Sequence, residues 1–219
     1  MLRQGNFHLH TEMVQISNLQ RQQQDIRRAA EVLKAGGLVA FPTETVYGIG
    51  ALALEEAAVE ALYAAKNRPR DKAFSLQVAD INMVQQVAAC VPQMARRLME
   101  KFCPGPITLV LPKGDRVSYR LTGGRDTVGV RIPDHPIALA LLRSAGVPLA
   151  VPSANISGHI SPKTAQEVYG DMAGRLDMIL DGGACALGRE STIVDCTGRV
   201  PEIIRHGAVE AAEIMAALG

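Results

Sequence analysis

The sequence predicts one α/β domain built on a twisted, mixed β-sheet with helices on its faces. The chain has 219 residues, of which 47% are hydrophobic, enough to bury most of its apolar surface in a single core. Helix-like and strand-like segments alternate irregularly along it, which favours a mixed sheet. It has neither a Gly-x-Gly-x-x-Gly turn nor a Gly-x-x-x-x-Gly-Lys-Ser/Thr loop, so we do not expect a doubly wound nucleotide-binding fold.

The first half of the chain predicts two helices and a strand before its first cluster of cations. Apolar residues recur at helical spacing over residues 18–35, and Gly36-Gly37 ends this run as a helix C-cap does. Residues 38–41 form an apolar run that predicts a strand. Residues 55–66 predict an amphipathic helix that Pro69 should stop. A further strand and helix are predicted near residues 74–78 and 92–102.

The second half opens with a sharp break at Pro104-Gly105-Pro106. The continuous apolar run that follows, residues 107–111, predicts a buried strand, and the alternation over residues 127–132 predicts a half-buried one. The remaining predicted elements are helices at residues 136–144, 164–169 and 209–218 and strands at 147–151, 178–180, 192–195 and 202–205.

The composition excludes several classes of protein. Lys and Arg number 23 against 22 for Asp and Glu, so the chain lacks the basic excess of proteins that coat nucleic acid. Its four cysteines show no Cys-x-x-Cys spacing, which argues against a thiolate zinc site and a redox pair. No apolar stretch approaches the ~20 residues that span a bilayer, and no signal peptide is recognisable. We therefore expect a cytoplasmic protein without a membrane partner.

The N-terminus is predicted to be a leader outside the domain. Residues 1–14 show no helical or strand period and include a His8-Leu9-His10 pair in a polar context. We expect this leader to be disordered, with Met13 as an alternative start, and the domain to span residues 15–219.

Three polar segments that follow predicted elements together suggest a phosphate site. Lys66-Asn67-Arg68-Pro69-Arg70-Asp71-Lys72 places four cations in seven residues after a helix. Pro152-Ser153-Ala154-Asn155-Ile156-Ser157-Gly158 and Pro42-Thr43-Glu44-Thr45-Val46-Tyr47-Gly48 supply hydroxyls after strands, where α/β sheets usually bind ligands. Each segment alone is also compatible with a solvated helix cap or a local hydroxyl turn. Their combination favours an anion site.

With these segments in order, residues 18–218 resemble the threonylcarbamoyl-AMP synthase family, the YrdC-like domain, in its single-domain form. The resemblance is carried by these motifs: Phe41-Pro42-Thr43-Glu44-Thr45-Val46-Tyr47-Gly48, Lys66-Asn67-Arg68-Pro69, Pro104-Gly105-Pro106-Ile107-Thr108, Asp126-Thr127-Val128 with Arg131, Pro152-Ser153-Ala154-Asn155, Glu190-Ser191-Thr192-Ile193 and Arg205. It implies a sheet curved around a large, positively charged cavity. It also implies a nucleotidyltransferase reaction in which L-threonine, bicarbonate or CO2, and ATP give threonylcarbamoyl-AMP and pyrophosphate. A downstream threonylcarbamoyl-transferase complex would use this product to make threonylcarbamoyladenosine beside the anticodon of tRNA.

The resemblance further implies roles for individual residues. Lys66 and Arg68 match the family's Lys-x-Arg pair and would neutralise the triphosphate, because this chemistry depends mainly on positioning and charge neutralisation. The residues expected on the ATP side are Lys66, Arg68, Lys72, Thr127, Ser153, Asn155, Ser161 and Arg205. Those expected to bind threonine are Thr45, Arg131, Val151 and Ser191. Arg131 would grip the carboxylate through two parallel hydrogen bonds.

Two departures from the family pattern and one alternative remain. Lys72 would add a charge beside the phosphates, and Gln77 stands where a histidine often contacts threonine. Mg2+ is expected to arrive with ATP, carried by phosphates and water, because no acidic cluster predicts a protein cage. The alternative function is a non-catalytic module that binds tRNA or double-stranded RNA, which would need only phosphate contacts.

Overall fold

The computed structural model describes residues 10–219, whose strands form one ten-stranded sheet. The strands are β1 (Glu12–Gln15), β2 (Val39–Phe41), β3 (Gly48–Leu52), β4 (Leu76–Gln77), β5 (Ile107–Pro112), β6 (Thr127–Arg131), β7 (Leu149–Ala150), β8 (Met178–Asp181), β9 (Thr192–Asp195) and β10 (Glu202–Arg205). The helices are α1 (Gln23–Lys34), α2 (Glu56–Lys66), α3 (Ile81–Val84), α4 (Gln93–Phe102), α5 (Tyr119–Thr122), α6 (Pro136–Ala145), α7 (Ala165–Met172) and α8 (Ala211–Leu218).

The sheet is mixed, as the sequence predicts. Its order is β1-β8-β2-β3-β7-β4-β6-β5-β9-β10. The pairs β1–β8, β2–β8, β4–β6 and β5–β9 are parallel, and the others are antiparallel. Most strands are buried, and α1 packs against both the sheet and α6. The domain therefore has one continuous core.

Helix α1 shows how the apolar pattern produces this packing. Its buried residues are Ile26, Ala29, Ala30 and Leu33, at the i, i+3, i+4, i+7 spacing that places side chains on one helical face. The helix begins at Gln23 instead of residue 18, because the side-chain oxygen of Gln22 accepts hydrogen bonds from the backbone N–H groups of Ser17 and Asn18 and holds a turn there.

The end of helix α2 places the cationic segment. Asn67 adopts a left-handed conformation with φ of 48°, and its N–H donates to Ala64 O. The N–H of Arg68 donates to Tyr63 O, which completes a Schellman motif. Asn67 thus ends the helix two residues before Pro69, and the motif fixes the direction in which Arg68 leaves it.

Some expectations for the elements were wrong. Glu12–Gln15 is a strand paired in register with β8, so the predicted leader does not extend to residue 14. The strand is fixed by long-range pairing and by Thr11, whose hydroxyl donates to Leu176 O 2.7 Å away, and neither contact leaves a local sequence signal. The rest of the proposed leader, residues 1–9, lies outside the described part of the chain.

Three further elements were missed. The segment around Gly48-Ile49-Gly50 belongs to the central strand β3, whose almost complete burial removes the alternation that marks a half-buried strand. The other two, α3 and α5, are one-turn helices, each begun by a side-chain cap, from Asp80 and Ser118 respectively. None of the helices within residues 10–219 is long and apolar enough to cross a membrane.

Candidate active site

Five adjacent strands each contribute one side chain to a cavity of about 210 Å³. Gln77 of β4 is the register partner of Arg131 of β6, and Ile193 of β9 is the register partner of both Thr108 of β5 and Arg205 of β10. These residues form a row across the sheet and make the cavity floor. The predicted site residues that line the cavity are Thr45, Arg68, Arg131, Val151, Ser153, Ser191 and Arg205.

One end of the cavity is built around Arg131, which is 7% exposed. Its Nε donates to Gly105 O at 3.2 Å and its Nη2 donates to Thr45 Oγ1 at 2.9 Å. The Thr45 hydroxyl also lies 2.8 Å from the hydroxyl of Thr43, which donates to Val46 O. These contacts leave Nη1 of Arg131 without a hydrogen bond inside residues 10–219. A guanidinium beside two hydroxyls suits a carboxylate.

Glu44 compensates the charge of Arg131 from outside the cavity lining. Its Oε1 lies 2.7 Å from Arg131 Nη2, and both side chains are almost fully buried, at 7% and 11% exposure. No N–H of Arg131 Nη2 is aligned on that oxygen, so the contact is an ion pair without a hydrogen bond. Neither carboxylate oxygen of Glu44 has a hydrogen-bond partner within the described residues. Arg131 is therefore electrically compensated before any ligand arrives.

The opposite end of the cavity holds a second arginine–glutamate pair. Arg205 Nη1 donates to Glu190 Oε2 at 2.5 Å, and its Nη2 donates to Ser191 O at 2.8 Å and Ser191 Oγ at 3.1 Å. The Ser191 hydroxyl also pairs with Thr108 at 2.8 Å, and Ser161 donates to Glu190 Oε1 at 2.7 Å. The hydroxyls of Ser191 and Thr108 are held in place by neighbouring side chains and line this cavity.

Lys66 lies behind the cavity instead of in its wall. The side chain is 1% exposed, and its Nζ donates to the backbone carbonyls of Ser153 and Asn155. The carbonyl of Lys66 accepts from the N–H of Ser157, so both ends of the residue fix the same loop. Burial, assisted by the nearby charge of Arg68, lowers the pKa of Lys66 to about 7. In this structure Lys66 clamps the loop that carries the Ser-x-Asn motif.

Asn155 and Ser161 line a second depression of about 770 Å³ beside the first. The Asn155 amide donates to the carbonyls of Ile156 and His159, whereas its Oδ1 is buried and has no partner. Glu190 connects the two spaces, because it lines the first and bonds Ser161 of the second.

Besides Lys66, two predicted residues lie outside both spaces. Lys72 is exposed, and its backbone, not its amine, makes contacts near the site. Thr127 is half-buried at the start of β6, opposite Pro112. The structure does not bring either residue to the cavity wall, and their roles in ATP binding stay predictions.

Sequence reasoning assigned no role to several residues of the site. Gln77 was noted only as a departure, yet its amide oxygen is buried without a partner inside the lining. Thr43, Glu44, Thr108 and Glu190 all stand in the motifs quoted above, which was the available signal. Except for Thr43, which bonds the nearby Thr45 and Val46, these residues contact partners far along the chain, as Glu44 does with Arg131.

Comparison with known proteins identifies the family. A family model for Sua5, YciO and YrdC, described as "Telomere recombination", matches residues 31–207. Threonylcarbamoyl-AMP synthase of Bacillus subtilis is 45% identical over 195 residues, which cover 89% of this chain and 56% of that protein. The chain belongs to the Sua5/YciO/YrdC family.

Solved structures agree with this assignment. The structure of Pyrococcus abyssi Sua5 complexed with L-threonine superposes with a TM-score of 0.91 at 43% identity, covering 95% of this chain and 61% of that one. Escherichia coli YciO superposes with a TM-score of 0.81 at 28% identity, covering 92% and 97%. The YrdC-like fold that the sequence predicts is confirmed. The chain spans somewhat more than half the length of the Bacillus subtilis and Pyrococcus abyssi synthases.

Proposed function

We propose that this chain is an L-threonylcarbamoyladenylate synthase. It would form threonylcarbamoyl-AMP and pyrophosphate from L-threonine, bicarbonate or CO2, and ATP. The observation that carries the proposal is the convergence of Arg68, Arg131 and Arg205 with fixed threonine and serine hydroxyls in one cavity. The match to synthases and to a structure complexed with L-threonine supports the choice of substrates.

The amino acid is assigned to the Arg131 end. The free Nη1 of Arg131 would hold the carboxylate, with Thr45 beside it and Val151 against the aliphatic part. Gln77, its register partner, offers an unpartnered acceptor for the N–H of the amine. Carbamate formation requires this amine to be neutral and held near the carbon source. The site would favour carbamate formation by holding the two reactants in position.

The nucleotide is assigned to the space that runs from Arg68 and Arg205 across Glu190 into the second depression. A cavity of about 210 Å³ is smaller than the ~300–1,000 Å³ typical of ligand sites, so ATP and threonine together would need both spaces. The phosphates would lie near Arg68 and Ser153, where in-line attack by the carbamate on the α-phosphorus would release pyrophosphate.

Mg2+ would enter this site with the nucleotide. Glu190 is the only carboxylate in the wall of the main cavity among residues 10–219, and its two oxygens already bond Ser161 and Arg205. No group of three or more metal-ligating side chains occurs in that part of the chain. The ion would therefore be held by phosphate oxygens and water, and it would neutralise charge on the triphosphate.

The product would be passed on for tRNA modification. A threonylcarbamoyl-transferase complex would take threonylcarbamoyl-AMP and build threonylcarbamoyladenosine in tRNA, in the cytoplasm. Binding of tRNA by this chain itself is not required, because the activated intermediate is a small molecule.

The test is release of pyrophosphate from ATP, with bicarbonate, in the presence and absence of L-threonine. The proposal predicts release that depends on threonine and is weak with serine. Folded protein that binds ATP but releases no pyrophosphate, yet binds tRNA with steep salt dependence, would instead indicate the RNA-binding alternative.

A further inference from the structure

Arg68 differs from the other two arginines of the cavity in having no carboxylate partner within residues 10–219. Arg131 is paired with Glu44 and Arg205 with Glu190. Arg68 instead donates from Nε to Lys72 O at 3.0 Å and from Nη2 to Ala73 O at 2.8 Å. Both acceptors are neutral carbonyls, so of the three cavity arginines Arg68 alone makes no ion pair within the described residues.

An aromatic ring completes the support of this guanidinium. The Cζ atom of Arg68 lies over the ring of Phe74, 5.1 Å from its centroid, and Phe74 is only 2% exposed. The ring attracts the cation through its quadrupole without neutralising it. The three supports leave Nη1 of Arg68 without a hydrogen bond in the described part of the chain, and Arg68 lines the cavity.

Tyr63 in turn fixes Phe74 and the loop. The two ring centroids are 4.2 Å apart, and Tyr63 is 1% exposed. The single proton of the Tyr63 hydroxyl is shared between two carbonyl oxygens, Lys72 O at 3.0 Å and Arg120 O at 3.2 Å. Lys72 O is the same oxygen that accepts from Arg68 Nε. Helix α2 therefore supports Arg68 both through a ring and through a shared carbonyl.

We propose that Phe74 and Tyr63 are positioning residues that hold Arg68 ready for a phosphate group as the one cavity arginine that makes no ion pair within residues 10–219. A free arginine side chain has wide rotamer freedom, most of which would be lost on binding phosphate. The two rings and the shared carbonyl remove that freedom before the ligand arrives. The identity of the phosphate as that of ATP rests on the proposed function.

The test is the affinity for ATP, measured by calorimetry, of Phe74→Leu with and without Arg68→Lys. Leucine keeps the site apolar but removes the aromatic face, so ATP should bind about tenfold more weakly, with the threonine KM unchanged. In the Arg68→Lys background the same change should alter ATP affinity by less than about twofold, because no planar guanidinium remains to be supported.

A matched control separates positioning from general loss of packing. Phe102 also carries a cation over its ring, Lys101 Nζ at 5.6 Å, but lies outside the cavity lining. Phe102→Leu should leave ATP affinity unchanged. Tyr63→Phe keeps the ring and loses both carbonyl contacts, and we expect it to weaken ATP binding less than Phe74→Leu.

The proposal is overturned if folded Phe74→Leu binds ATP as tightly as the parent protein, or if its effect persists undiminished with Arg68→Lys. Because the readout is binding and not turnover, it remains decisive if threonine-dependent pyrophosphate release is absent. Absent release with the tenfold loss intact would contradict the proposed synthase alone.

Discussion

Replacing Arg131 with glutamine should damage both the fold and the binding of threonine, for separable reasons. Within residues 10–219 the variant leaves Glu44 as an almost fully buried carboxylate without an ion-pair partner, since Arg131 forms its one ion pair there and neither of its oxygens has a hydrogen bond. Breaking one side of a buried ion pair costs about 3–5 kcal/mol, a large share of the ~5–15 kcal/mol that stabilises a typical domain. Threonine should bind about tenfold to a hundredfold more weakly, because charge-assisted hydrogen bonds contribute ~1.5–3 kcal/mol.

The double variant Arg131→Gln/Glu44→Gln separates the two effects. It removes the orphaned charge, so denaturant unfolding should recover about 2 kcal/mol or more relative to the single variant. Calorimetry should show that threonine binding stays weak. Arg28→Gln, which breaks the exposed pair with Glu12, is the matched control and should cost less than ~1 kcal/mol. The reasoning fails if the single variant is as stable as the parent, or if the double variant regains threonine affinity.

Three further predictions concern Lys66, Asn67 and Gln77. The pKa of Lys66 is lowered from 10.5 to about 7, so between these pH values the unfolded chain binds more protons than the folded chain. The free energy of unfolding should therefore rise with pH by up to ~1.4 kcal/mol per unit. Denaturation at pH 7 and 9 should show that this rise is smaller in Lys66→Met. Asn67→Gly should leave the free energy of unfolding within ~0.5 kcal/mol of that of the parent protein. Asn67→Val should cost ~1–2 kcal/mol at φ of 48°, and it should raise the ATP KM by moving Arg68. Equal stability of the two variants would contradict the cap. Gln77→Leu removes a buried, unpartnered acceptor, so thermal stability should hold or increase. The threonine KM should rise about threefold to tenfold. An unchanged KM would exclude contact between Gln77 and threonine.

Local patterns were sufficient for most of the fold. The apolar runs that became β2, β5 and β9 were bounded within one residue, because each is a short hydrophobic stretch between turn-forming residues. Strand β1 was not predicted, because its conformation depends on pairing with a strand more than 160 residues away. Strand β3 is so completely buried that its sequence lacks a two-residue period.

The motifs predicted most of the residues that line the candidate site, but not what each of them contacts. Lys66 was expected among the phosphates because of its charge and position. Its helix turns it inward, where it meets the carbonyls of Ser153 and Asn155, 87 and 89 residues away. The pairing of Arg131 with Glu44 is likewise long-range. Single-sequence reasoning recognises charge and spacing, whereas such contacts depend on how distant segments pack.

The most direct test of the central claim is detection of the product itself. The purified chain would be incubated with ATP, Mg2+, L-threonine and 13C-labelled bicarbonate, and the mixture analysed by mass spectrometry. The account predicts a species that combines AMP, threonine and one labelled carbon, absent when threonine is omitted and reduced in Arg68→Ala. Hydrolysis of ATP without any labelled threonine adduct, by protein that is folded and binds both substrates, would contradict it.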